Sequence, residues 1–125
     1  MRPPAEEGQS TVELALCLPV VALVLAALVE IVLLGGDQVR LWHAAREAAR
    51  TAVVDPDPAA VSAVVRRSGL EGVRVRVSPE AGHRVAGRPL TVTLSYGPAP
   101  GIPMLRRVLA PLTLEASTTM RIEVP

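Results

Sequence analysis

The order of apolar and polar positions divides the chain into three regimes. Residues 14–34 form a run of 21 positions in which only Pro19 and Glu30 fall outside the apolar set. A helix rises about 1.5 Å per residue, so the run covers roughly 30 Å, the thickness of a bilayer's hydrocarbon core. Pro19 lacks an amide proton and frees the carbonyl of Ala15, a defect that membrane helices tolerate better than soluble ones. Beyond Gly35 and Gly36 the pattern changes to a helical period. Asp37/Arg40, His43/Glu47 and Glu47/Arg50 are spaced as surface helix pairs, while Leu41, Ala45, Ala48 and Ala52 form a stripe of mostly small residues. Residues 10–53 therefore predict one helix of about 65 Å, transmembrane in its first half and amphipathic in its second. Trp42 suits either an interfacial belt or a core anchor.

Asp55-Pro56-Asp57-Pro58 ends that helix, and Asp57 then reads as the N-cap of a short helix over residues 59–67, with Pro58 at its first position and Gly69 as its stop. From residue 73 the period becomes two. Residues 73–77 alternate valine with arginine, a strand with valines inward and arginines outward. Residues 79–82 read as a turn, residues 90–96 as a second strand and residues 112–124 as a third. Residues 97–111, with four prolines and two glycines, read as a long loop holding at most one helical turn. The expected fold class is α+β: a long N-terminal helix packed on a small antiparallel sheet of about three strands, with one short helix. The divisions expected are a leader (1–8), the transmembrane helix (9–36), its amphipathic continuation (37–54) and a small α+β module (55–125).

Composition narrows what such a chain does. Of its 125 residues half are hydrophobic, yet there is no Phe, one Trp and one Tyr. Alanine and valine supply the apolar content, so the module's core is expected to be shallow. All basic residues are Arg and the net charge is +1, which argues against a nucleic-acid partner. The single cysteine, Cys17, lies in the apolar run, so neither an intrachain disulfide nor a cysteine-based metal site forms. Histidine occurs only at His43 and His83, and no nucleophile elbow, zinc-binding HExxH or phosphate-binding glycine loop is present. No catalytic residue, metal, cofactor or small-molecule substrate is expected, and the chain does not read as an enzyme. Arg66, Arg67, Arg74 and Arg76 read as a solvated strand face and helix end.

The remaining chemistry sits at the head of the apolar run. Ser10 or Thr11 would cap the helix, and Glu13 in its first turn suits the helix dipole. That is one reading of Glu13. The other follows from its position: an unpaired carboxylate in lipid costs several kcal/mol and needs headgroup water or a partner. Glu30 has two readings as well, one that snorkels to the far interface and one that pairs with a neighbouring chain inside the membrane. A helix turns about 100° per residue, which sets Glu30 some 100° around the axis from Glu13.

Gly8, Gln9 and Glu13, with the glutamate five residues after the glycine and the apolar run behind it, resemble a prepilin-type N-terminus. With Val29-Glu30, the Ala44-Ala45-Arg46-Glu47-Ala48-Ala49-Arg50 stretch and the ending Ala116-Ser117-Thr118-Thr119-Met120-Arg121, they look like the TadE-like minor pilins, or pseudopilins, of tight-adherence (Flp) pilus systems. Leu14 is a departure, since related sequences often carry an aromatic after the glutamate. The resemblance implies a cleavage site between Gly8 and Gln9 for a membrane aspartic prepilin peptidase. It also implies a subunit-assembly role for Glu13, pairing with the α-amine of an adjacent subunit. The implied partners are the membrane, the peptidase and other pilins or pseudopilins of the same apparatus.

Orientation divides the two lines of reasoning. Arg40, Arg46 and Arg50 follow the run and only Arg2 precedes it, a bias that would keep the C-terminal module in the cytoplasm. The resemblance implies a single-pass inner-membrane protein with a cytoplasmic leader and an extracytoplasmic module, incorporated into a pilus or its base. The expectation taken is the latter. The alternatives are an uncleaved signal-anchored accessory subunit whose sheet binds a membrane partner, and a secreted protein with an ordinary signal peptide.

Overall fold

The computed structural model describes residues 4–123, with side-chain surroundings from Gly8 onward. Residues 1–3 of the expected leader and residue 124 of the expected third strand lie outside the described residues. In order the elements are α1 (Pro4–Val54), α2 (Pro58–Arg66), β1 (Arg74–Ser78), β2 (Pro89–Tyr96), α3 (Pro103–Leu109) and β3 (Leu114–Arg121), with a 3-10 turn at Ala81–His83. The fold class is α+β, as the change of period predicts. By compactness the chain divides into Met1–Leu33 and Leu34–Pro125, and α1 contributes to both.

α1 runs unbroken through Pro19 and through Gly35-Gly36. It also begins earlier than expected. Ser10 and Thr11 lie inside it and do not cap it, which corrects the sequence reading. The reason is local: Pro4 fits a first helical turn, where its missing N–H costs nothing. In the first unit the apolar side chains point outward. Leu14, Leu18, Val21, Leu28 and Val32 are all exposed, Val32 at 73%. Such a continuous apolar surface is stable only when lipid or protein covers it.

In the second unit α1 becomes a wall of the core. Leu41, Ala44, Ala45, Ala48, Ala49, Ala52 and Val53 are buried, at the spacing of three and four that one helix face requires. They pack on a sheet of order β1-β2-β3, antiparallel throughout. Leu90, Val92 and Leu94 of the central strand face the core, joined by Val61 and Val65 of α2 and by Ala116 and Ile122. Val75 and Val77 are half-buried, while Arg74 and Arg76 point outward opposite Ser95 and Thr93. The outer face is a hydroxyl surface: Thr91 and Thr119 hydrogen-bond across the strands at 2.8 Å, Thr93 and Ser117 at 3.3 Å. Large side chains are few. Leu41, Leu90, Leu94 and Ile122 head the fully buried set, each contributing about 1.5–3 kcal/mol by burial.

Several boundaries differ from expectation. β3 is shorter at both ends than residues 112–124, and the long loop holds α3, a second short helix, where at most one turn was expected. Pro103 in its first turn supplies the start signal. Trp42 is 41% exposed and is no core anchor. The start of α2 is as expected: Asp57 Oδ1 accepts the Ala59 N–H at 2.9 Å, with Pro58 at the first position.

Two long-range polar contacts fix α1 within this unit. Gln38 Nε2 donates to the carbonyl of Glu115 at 3.0 Å, and Arg84 Nη1 donates to the carbonyl of Ala52 at 2.8 Å. α1 has no basic residue in its own last turn, so Arg84 supplies the positive charge that its C-terminus lacks. Gly87, at φ 81°, forms a bulge beside Arg84: its N–H donates to the Ile122 carbonyl, while the Ile122 N–H donates to Arg88. Near the other end of β2, burial raises the Tyr96 phenol above its ordinary range, Asp37 and Glu71 add to this, and Arg40 opposes it.

Arg84→Ala is expected to lower stability by about 1–2 kcal/mol, because a charged donor to a carbonyl at a helix end is lost. Thermal unfolding of the detergent-solubilised chain measures it. An unchanged melting temperature would mean that solvent serves the Ala52 carbonyl equally well.

Candidate functional site

The candidate residues lie on the exposed surface of the first unit. Gly8, Gln9 and Glu13 are all exposed on α1. Four residues of helix bring Gln9 and Glu13 onto one face, and Gln9 Nε2 donates to Glu13 Oε1 at 3.2 Å. The sequence reading missed this contact, although the i,i+4 spacing carries it. Its donor is a neutral amide, so it fills one lone pair without cancelling the charge. Among the described residues no cation meets Glu13.

Gly8 is not required by packing. A Cβ at this position would meet nothing within 4 Å, and the backbone is not among the positive-φ glycines. Glycine inside a helix costs about 1 kcal/mol relative to alanine. The fold would thus be served better by another residue, and a requirement for glycine here has to come from outside the chain's own structure.

Glu30 lies about 25 Å further along the helix axis, so the structure does not bring it together with Glu13. It is buried, at 7% exposure, and its own chain engages it. On another side of the helix from Glu30, Leu25, Leu28, Val29, Val32 and Leu33 form an exposed apolar surface. Cys17 is exposed within the same run. Among the described residues no cluster of His, Cys, Asp and Glu suits a metal ion, and His43 and His83 sit on separate elements.

A family model described as TadE-like protein matches residues 8–50. The matched segment opens at Gly8 and closes within the buried face of α1, and residues 51–125 lie outside it. No curated protein and no solved structure matches the chain. The match makes the N-terminal helical segment TadE-like. Among the described residues one helix, within Gly8–Val54, is long and apolar enough to cross a membrane, and it fits a single-pass membrane protein.

Proposed function

We propose that the chain is a minor pilin or pseudopilin of a Tad/Flp-type apparatus, cleaved after Gly8 by a prepilin peptidase and assembled through its N-terminal helix. The observation that carries the reading is that the TadE-like match begins at Gly8, a glycine for which the fold has no packing use. Cleavage there makes Gln9 the first residue and leaves Glu13 one helical turn behind the new α-amine.

Glu13 then has a defined task. A carboxylate carried into lipid or a filament core must find a cation, and the α-amine of an adjacent subunit is the one that processing creates. Two buried opposite charges are tolerable when they neutralise each other. The neutral bond from Gln9 holds the Glu13 carboxylate along the helix without competing for that role. Cyclisation of an N-terminal glutamine would consume both the amine and Nε2, removing the intersubunit partner and the intrachain bond together.

The rival is an uncleaved signal-anchored accessory subunit, whose sheet binds a membrane partner. One observation favours it: α1 continues through Gly8, so the Gly8–Gln9 peptide lies within helical backbone that a peptidase must first open.

Three experiments test the proposal. Intact mass of the membrane-extracted protein should show loss of residues 1–8 in the wild type and a full-length chain for Gly8→Ala; a full-length wild type beside an active prepilin peptidase establishes the anchor instead. Glu13→Ala should be cleaved normally yet lose most of its incorporation into the assembly, scored by co-purification. Unchanged incorporation refutes the pairing. Alkaline phosphatase fused to the C-terminal end should be active, reporting an extracytoplasmic module. An inactive fusion follows the arginine bias and sinks the pilin reading.

A further inference from the structure

β3 is an edge strand whose outer side is open. Ile122 turns its backbone toward the strand before it: its N–H donates to Arg88 at 2.9 Å and its carbonyl accepts from Gly87 at 2.8 Å. Backbone direction alternates along a strand, so Met120, Thr118 and Ala116 also face β2. Glu115, Ser117, Thr119 and Arg121 face away. The Glu115 carbonyl follows this sense, since it accepts from Gln38 of α1 and not from β2. Among the described residues no hydrogen bond reaches the outward backbone of Ser117, Thr119 or Arg121.

α1 runs alongside this edge. Gln38 meets it at Glu115, and further along α1 Arg50, Val53 and Val54 border a groove with Met120, Arg121 and Glu123. At about 100° per residue, Trp42 and Arg46 fall on the flank of α1 between those two points. Trp42, Arg46 and Arg50 are all exposed. The groove is basic on balance: Arg50 and Arg121 stand against Glu123. Proteins guard long edges with proline, lysine, bulges or brevity. β3 spans eight residues and has neither proline nor lysine. β1, the other edge, has five residues and ends against Pro79.

We propose that the β3 edge docks an extended, acidic strand of another protein, which joins the sheet as a fourth strand beneath the Trp42–Arg46–Arg50 flank. Backbone groups of Ser117, Thr119 and Arg121 supply the ladder, Val53 and Met120 receive apolar side chains of the incoming strand, and the arginines select carboxylates at alternate positions. A second copy of the chain fits less well. Its own β3 edge brings the same arginines. The proposal stands whether or not the chain is processed at Gly8.

Trp42 is the only tryptophan, so its emission reports occupancy of the flank. The full chain in detergent micelles is titrated with a synthetic peptide alternating valine and glutamate, and with its counterpart carrying lysine for glutamate. A saturable change with the acidic peptide is expected, and binding at least about tenfold weaker with the basic one, since like charges are brought together. Thr119→Pro removes an outward donor without touching the β2 ladder and should abolish the response with circular dichroism unchanged. Arg50→Glu, at an exposed position, should reverse the preference between the peptides. Equal binding of both peptides, no saturable change, or wild-type binding by folded Thr119→Pro overturns the proposal. Sedimentation of the peptide-free chain adds one further outcome: a dimer that Thr119→Pro dissociates assigns the edge to a second copy, and the acidic-partner reading falls.

Discussion

The seam between α1 and β2 is the contact on which the folded module depends. Leu41, Ala45, Ala48 and Ala52 lie along one helix face, and Leu90, Val92 and Leu94 along one strand face, all of them almost wholly buried. Alanine is what the seam requires. Larger residues on α1 would hold the helix away from a sheet that has only three strands to offer. The seam also explains why α1 cannot stop where the apolar run does. Seven of the fifteen buried apolar residues described belong to α1, so the helix that suits lipid at one end must continue far enough to supply half of a soluble core at the other.

That division of labour was written in the sequence as a change of pattern. The uniform apolar run, the stripe of small residues at three-four spacing and the valine alternation each have one structural solution, and the elements formed are the ones those patterns predict. What escaped reading is what a pattern does not encode. Pro4 fits a first helical turn, yet with no apolar period the residues after it read as a loose leader. The contacts from Gln38 to Glu115 and from Arg84 to Ala52 join residues 77 and 32 positions apart, and nothing in local spacing announces them. Trp42 allowed two readings because a helix face is assigned by its partners as well as by its own residues.

The candidate site was legible for a different reason. Gly8, Gln9 and Glu13 carry information by their spacing from one another and from the apolar run, and this is visible without any tertiary contact. The structure adds the hydrogen bond between Gln9 and Glu13 and removes a competing explanation for Gly8, since no packing demands glycine there. It adds nothing about what meets Glu13 because, under the proposed function, that group belongs to another molecule. A site whose chemistry is completed between chains leaves only half of itself in one chain.

The two acids of the apolar segment separate on this criterion. Both sit where an uncompensated carboxylate is expensive. Glu30 is buried and engaged by its own chain. Glu13 is exposed, and among the described residues the neutral side-chain amide of Gln9, one turn away, donates to it. In headgroup water that arrangement is stable. Moved into lipid or among packed helices, it leaves most of a unit charge to be balanced, and a neutral donor does not balance it. A carboxylate that is tolerable at the membrane surface and costly deeper in, unless a cation comes with it, makes insertion conditional on a partner. Under the proposed function, that conditional property is what the assembly role of Glu13 requires.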